Sequence, residues 1–595
     1  MSHAPNITPA ALRITARAAA PTTLRAAPRP AARHLVEALV AEGVETFFGV
    51  PGGPVSPIFE AVLATPGARL VASRHESAAA FAAMGHHRAT GRVSAVLVTA
   101  GPGATNALTG VAAASTEAVP MLVISGDVPW ASTGGRHVQD CGPEGLSIEA
   151  MFASVTRATV RVARAASAAS QGLAALQAAL TPYREGPALL VIPMDVAREP
   201  TDAAPLPRLS MRAASPAPAD AVRETARLLA SAARPLVVVG AGARRDAGRV
   251  RALLDALDVP FMTTPRAKGI VSEEHPRSLR NGGLAASWWA RRYTSAGVDA
   301  ALVLGTDLCD IDTGPTPPIA PDGTLVHVDM NPAVFNRSHR AALPVTADLG
   351  DFADALRALV VTSGVRNPRG PALAAEARAR SPFDAPDFAR DEAPQITPAR
   401  AVADLERAAG PDARFVSDIG EHMLAALHYL TASTPERFTI HLGLGSMTSG
   451  IASAVGISLA DRRRRVVCIC GDGGVQMASM EALVAARERL PIVYAVFNDA
   501  RYNMVHHGYK QLYGVEASWE MPPVDMVAWA ASLGVRGARI DHPGEIDAAL
   551  LDDLTRDGPC VLDIRIDREA RIRGAGRNES LAHMSLPVVR EEAAS

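Results

Sequence analysis

The residues of this chain best suited to chemistry gather in a few glycine-rich stretches. Gly471-Asp472-Gly473-Gly474 follows an apolar run at residues 465–470, and Asn498-Asp499 follows another at 492–497. A stretch of helical character, residues 477–490, lies between them. Strand, helix and strand form one βαβ unit, so both strands end on the same edge of a sheet and Asp472 and Asp499 come side by side. Two hard oxygen ligands suit Mg²⁺, which completes its octahedron with phosphate oxygens and water. The glycines let backbone N–H groups approach a diphosphate, and the following helix turns its positive end towards it. A Gly-Asp-Gly turn alone is common. Its pairing with Asn-Asp at the next strand end is the specific signal.

A further carboxyl group, Glu76 in Arg74-His75-Glu76-Ser77, would by itself be an ordinary helix-opening glutamate. Its surroundings change that reading: Gly49-Val50-Pro51-Gly52 lies upstream and Thr99-Ala100-Gly101-Pro102-Gly103-Ala104-Thr105-Asn106 downstream. Together with Gly471–Gly474 and Asn498-Asp499, these stretches resemble the thiamine-diphosphate (ThDP)-dependent enzymes of the acetolactate synthase large-subunit type. The resemblance runs over about residues 31–570. It implies that Asp472, Asp499 and the backbone carbonyl of Arg501 hold Mg²⁺ against the cofactor's diphosphate. Glu76 would protonate the aminopyrimidine ring, and Gln139 would be the active-site glutamine. Met447, in Gly445-Ser446-Met447-Thr448, matches the apolar wedge that bends the cofactor. Pro51, Gly52, Gly420, Glu421, His422, Gly445, Gly471, Gly473, Gly474, Tyr502 and Met504 complete the implied cofactor site.

The departures from that pattern matter as much. Asp499 stands where the family's second Asn is usual, and Glu421 where a Gln is usual. Val138 replaces an aromatic residue beside Gln139, and Arg136 and His137 are also unlike the family. That basic pair either selects a carboxylate-bearing acceptor or is salt-bridged at the surface. His506 and His507, adjacent on one helix, point about 100° apart, so at most one faces the site. Val505 stands where simple decarboxylases carry Glu, and a dry apolar wall there favours carboligation over protonation.

The function this implies is decarboxylation of a 2-oxo acid, pyruvate first among candidates, and transfer of the two-carbon unit to a second oxo acid. The alternatives are a ThDP-dependent decarboxylase or lyase on another substrate, or a catalytically silent subunit of the same fold. The family builds each active site from two subunits, so a homodimer or homotetramer is expected. FAD remains open: residues 327–332 resemble a strand end that touches flavin in anabolic relatives, while catabolic ones keep the domain without it. Arg245 breaks any GxGxxG fingerprint after Val239-Gly240-Ala241-Gly242.

The elements that must position these residues are those of an α/β protein. At 595 residues the chain is too long for one core. Two Pro- and Ala-rich linkers, 200–219 and 364–398, divide it into a pyrimidine-binding domain (31–199), a central domain (220–363) and a diphosphate- and Mg-binding domain (399–570). Tails of 1–30 and 571–595 flank them. Short apolar runs, read as buried parallel strands, fall at 45–50, 93–99, 121–125 and 188–192 in the first block. They fall at 235–239, 300–304 and 324–328 in the second, and at 414–417, 465–470, 492–497 and 560–564 in the third. Three open parallel-sheet α/β domains in series are therefore expected.

Composition narrows the function classes. A formal net charge of −2 calls for neither nucleic acid nor an anionic membrane, and no apolar run reaches spanning length. Arg462–Arg465 reads as a solvated turn. Five dispersed cysteines fit a reducing cytoplasm, with Cys468 and Cys470 read as buried thiols on one side of a strand. The four arginines and absent acids of residues 1–30 read as a biased tail rather than a transit peptide.

Overall fold

The computed structural model describes residues 28–572, apart from 183, 203–205, 207, 210–214 and 315–318. It contains three six-stranded, all-parallel sheets in series. In the first, Thr46–Gly49, Ser94–Val98, Met121–Asp127 and Pro187–Pro193 are flanked by Arg69–Ala72 and Thr159–Arg161. In the second, the order is Ser278–Asn281, Phe261–Thr263, Pro235–Val239, Ala300–Leu304, Thr324–Asp329, Leu343–Thr346. In the third, Arg414–Ser417, Val466–Gly471, Ile492–Asn498 and Cys560–Arg565 lie between Phe438–Ile440 and Arg536–Ile540. Covered on both faces by helices, the inner strands carry unbroken apolar runs, as parallel strands must.

Every strand anticipated from the sequence is an inner strand, and all six edge strands were unanticipated, as was Phe261–Thr263 next to an edge. Arg69–Ala72, Thr159–Arg161 and Arg536–Ile540 are short or half-exposed, so they carry no apolar run to betray them. The helix expected over 477–490 is corrected to two. Asp472–Ala478 starts on the aspartate itself, and Glu481–Arg487 follows after a break at Ser479 and Met480. The stretch 364–398 contains a helix, Gly370–Arg378. Arg29–Pro30 pairs antiparallel with Pro200–Thr201. Of the two tails, residues 1–27 and 573–595 lie outside the described residues, as does part of the stretch 200–219.

The first and third sheets share one hydrophobic core, which runs from Phe48 and Val71 through Ile451 and Val455 to Tyr494 and Val561. Its centre is the contact between helices Glu76–Thr90 and Ser449–Ala460, which meet at two glycines. A Cβ on Gly85 would overlap the Ser453 carbonyl, and one on Gly456 the Ala82 carbonyl. Ser453 Oγ donates to Phe81 O at 2.9 Å across the same contact. At the other end of the interface Glu481 accepts the Arg74 N–H at 2.8 Å, and burial pushes its carboxyl up to about 7. The second sheet has its own cores and is tied to the third by Arg280, which donates to Leu430 O at 2.8 Å, and by Glu273, which accepts the Ala432 N–H at 2.8 Å. Arg462, Arg464 and Arg465 pair with Glu488, Asp461 and Asp552 around an exposed turn, and the five cysteines are free. Among the described residues no helix is long and apolar enough to cross a membrane.

Candidate active site

The loops beyond the carboxyl ends of Val466–Gly471 and Ile492–Asn498 bring Asp472 and Asp499 together. Asp472 takes two backbone donors, Gly473 N and Ala500 N, each at 2.9 Å, so one aspartate bridges both loops. Asp499 accepts the Arg501 N–H at 3.2 Å. Burial raises the Asp472 carboxyl to about 6. Burial and then the charge of Asp472 raise Asp499 to about 7. The charge of Asp472 thus bears on Asp499, as expected of two acids at neighbouring strand ends. Two neighbouring carboxylates are the oxygen donors that could hold Mg²⁺.

Around them the chain leaves room for a ligand and little for a side chain. A Cβ on Gly473 would lie 2.9 Å from Tyr502 Cε1 and 3.5 Å from Met447 Cε; one on Gly474 would lie 2.7 Å from Asp418 Oδ2. Asp418 is fully buried at the end of strand Arg414–Ser417. It accepts Thr448 N at 2.9 Å and Gly450 N at 3.0 Å, which fixes the turn that presents Met447. Thr448 itself holds a left-handed φ of 75°. His422 lies against Gly420 and Gly471; burial lowers it to about 4, and its Nε2 has no partner among the described residues. Gly445 has open space where a Cβ would be, Met504 is half-buried, and Tyr502 and Val505 are exposed. His507 Nδ1 meets both carboxylate oxygens of Glu421, at 2.8 and 3.0 Å, while His506 turns away to Ala517 O.

Glu76 opens its helix, capped by His75, whose Nδ1 accepts the Ser77 N–H. The carboxylate is buried, with Oε2 accepting Asn106 Nδ2 at 3.1 Å and Oε1 3.3 Å from the position a Cβ would take on Gly103. A Cβ on Gly52 would lie 2.5 Å from Thr99 Cβ, so the loop of Pro51 and Gly52 packs directly on the strand end that precedes Gly101. Gln139 stands beside Gly101 with φ of 66°. Its loop is pinned by Asp140, which accepts Gly134 N and Gly142 N, and by Asp127, which takes Cys141 N at 3.1 Å and Arg161 at 2.7 Å. A cavity of about 630 Å³ opens here, lined by Gly101, Pro102, Arg136, His137 and Gln139. Arg136 and His137 are exposed, and no ion pair involves them among the described residues. Asp140 and Glu144 share the wall with them.

Two of these residues, Asp418 and Asp127, escape a motif search, and Asn106 closes the Thr99–Asn106 stretch with no role assigned to it by sequence. Asp418 follows Val416 and Ser417 at a strand end, and Asn106 sits four residues into helix Pro102–Thr116; position after a strand or near a helix start is the only signal they give.

The central domain has a switch point of its own. Its strand order reverses between Pro235–Val239 and Ala300–Leu304, the usual place for a dinucleotide. There Gly240 N donates to Leu304 O at 2.8 Å and Gly242 N to Gly305 O at 2.9 Å, so neither amide is free for a diphosphate. Asp307, Cys309 and Asp312 converge beside it, but the cation among them is the Arg266 guanidinium, 3.2 Å from Asp307 and 3.0 Å from Asp312.

Comparison with known proteins agrees with this arrangement. Residues 29–148 match the N-terminal TPP-binding domain of thiamine pyrophosphate enzymes, 222–356 the central domain and 418–564 the C-terminal TPP-binding domain. The chain is 30% identical to a putative acetolactate synthase large subunit of Mycobacterium tuberculosis, over 90% of this chain and 97% of the relative. It is 28% identical to a probable acetolactate synthase large subunit of Methanococcus aeolicus, over 90% and 92% of the two chains. With the large subunit of acetolactate synthase isozyme 1 of Escherichia coli it shares 27% identity, over 91% and 94%. Three matched domains in the right order, each on its own parallel sheet, place the chain in the thiamine-pyrophosphate-dependent enzyme family, as an acetolactate synthase-like carboligase.

Proposed function

We propose that this protein binds ThDP and Mg²⁺, decarboxylates pyruvate and joins the two-carbon unit to a second 2-oxo acid. The observation that carries the reading is the buried Asp472–Asp499 pair beside Gly473, Gly474 and Met447. ThDP, when bound, would supply a nucleophilic carbon and a cationic ring able to accept the electron pair released with CO₂.

The remaining work falls to this chain's residues. Asp472, Asp499 and the Arg501 carbonyl hold the metal, while Gly471, Gly473, Gly474, Gly420 and His422 border the diphosphate. Met447 and Met504 press on the cofactor from the third domain; Tyr502 closes over Gly473. Glu76, its orientation fixed by Asn106, gives a proton to the aminopyrimidine nitrogen. Pro51, Gly52 and Gln139 border the ring and the reacting carbons, and Val505, exposed in the single chain, brings no carboxyl group there to protonate the product. Decarboxylation and ligation together involve no net electron transfer.

The active unit is a homodimer or a higher assembly of it. Glu76 and Gly443 of one chain sit at opposite ends of helix Pro102–Thr116: Gly103 touches Glu76, and Glu117, at the far end, accepts Gly443 N at 2.6 Å. Fifteen residues of helix separate those ends by roughly 20 Å. Such a distance supports a site completed by a second copy.

Incubation of purified protein with pyruvate, Mg²⁺ and ThDP tests the proposal, with CO₂ release followed and products identified by mass spectrometry. Acetolactate is the expected product. Free acetaldehyde alone would make the enzyme a decarboxylase, and cofactor binding without CO₂ release would reject pyruvate as donor.

A further inference from the structure

The site just described contains an acid in an unexpected place. Glu421 lies between Gly420 and His422, next to the loops that would border an anionic diphosphate, and its charge is one of those that raise Asp499. A free carboxylate there would repel both the diphosphate and, by lifting Asp499, the ionised form of a metal ligand. The chain does not leave it free. His507 lies on helix Asn503–Tyr513, which begins two residues after Arg501, and reaches back 86 positions in sequence to meet both Glu421 oxygens through Nδ1. The imidazole is 3% exposed, so this contact is a built, buried feature rather than a surface encounter. Its Nε2 has no hydrogen-bond partner among the described residues and lies 4.0 Å from Glu569 Oε2. The other cation near Glu421 is Arg571, at 3.8 Å with a half-exposed side chain.

We infer that His507 is a positioning residue for the cofactor's diphosphate site: it holds and offsets the charge of Glu421, so that an acid can stand at a position facing an anion. The inference rests on the ThDP reading above. The physical basis is that a carboxylate held by an imidazole N–H is fixed in direction and presents less negative potential to a neighbour than a free one. Removing one partner exposes the charge of the other, whereas removing both leaves a neutral wall. The two positions should therefore be coupled in cofactor binding, and the sign of the coupling is set: the loss caused at His507 should be recovered at Glu421.

The test is a double-mutant cycle on equilibrium binding of Mg²⁺-ThDP to the full-length protein, read by titration calorimetry with no substrate present. His507→Gln should weaken binding about tenfold or more, and Glu421→Gln/His507→Gln should return to within about threefold of wild type. Glu421→Gln alone should bind no worse than His507→Gln. If the double variant binds as weakly as His507→Gln, the histidine acts by its own packing and the pairing role is wrong. Wild-type affinity in His507→Gln also overturns it. Should His507→Gln melt far below wild type, His507→Asn takes its place in the same cycle, because it too removes the imidazole while keeping a buried polar side chain. Failure of the wild type to bind Mg²⁺-ThDP at all would remove the ThDP reading and this inference together, whereas binding without pyruvate turnover leaves the cycle fully interpretable.

Discussion

At the scale of single residues, the site depends on carboxyl groups whose environments differ. Asp472 and Asp499 are raised to about 6 and about 7, so both lose their protons between mildly acidic and neutral pH. Raised folded-state values mean that their contribution to stability is complete below the ordinary aspartate range and is lost as pH climbs through about 7. A metal must displace those protons, so Mg²⁺ affinity should climb as pH rises from 6 to 8, by at most about tenfold per proton and pH unit. Calorimetric titration of Mg²⁺ in the presence of ThDP at three pH values checks this; a flat profile would remove the pair from the metal site. Asp472→Ala should abolish most of that affinity at every pH. Glu76 plays another part. Glu76→Gln keeps the Asn106 contact and should melt with the wild type, yet turn over about 10²–10⁴-fold more slowly. Near-normal turnover would show that the activating proton comes from elsewhere.

At the scale of elements, the contact between Glu76–Thr90 and Ser449–Ala460 is set by backbone approach at Gly85 and Gly456. A methyl group on Gly456 meets the Ala82 carbonyl and the His86 N–H, neither of which can rotate away. Gly456→Ala should therefore destabilise the protein by about 1–3 kcal/mol or more, the usual cost of overpacking. Gly248, exposed in helix Ala247–Ala256 with nothing within 4 Å of a Cβ, is the contrasting case. Gly248→Ala should be neutral or stabilise by about 0.5 kcal/mol, through a less flexible unfolded chain. Denaturant unfolding of the two variants separates them, and equal effects would contradict the packing argument. Elements also show where sequence is readable. Inner strands such as Pro235–Val239 and Cys560–Arg565 announce themselves because both faces are buried. Edge strands such as Thr159–Arg161 do not, because half of their surface meets water.

At the scale of the whole molecule, the prediction concerns which chains complete a site. If the Glu76 half and the Asp472 half of each site come from different subunits, mixing inactive Glu76→Gln with inactive Asp472→Ala under subunit exchange creates some sites with neither substitution. Random pairing into dimers would restore about a quarter of wild-type activity. Sites assembled within one chain would restore none. The 20 Å helix between Glu76 and Gly443 favours the first outcome.

The sequence by itself determined what depends on local order. The βαβ unit around Gly471–Gly474 puts Asp472 beside Asp499 because strand, helix and strand can return to the same edge in only one way. The alternation of apolar runs and helices likewise required three parallel sheets. Only the tertiary structure decided which distant groups meet. Asn106 orients Glu76 from the next helix, Asp418 anchors the Met447 turn from a separate strand, and His507 answers Glu421 across 86 residues. In the central domain, likewise, Gly240 and Gly242 spend their amides on a neighbouring strand end. Such pairings follow from how helices pack on sheets, and packing joins residues by shape and burial whatever their separation along the chain.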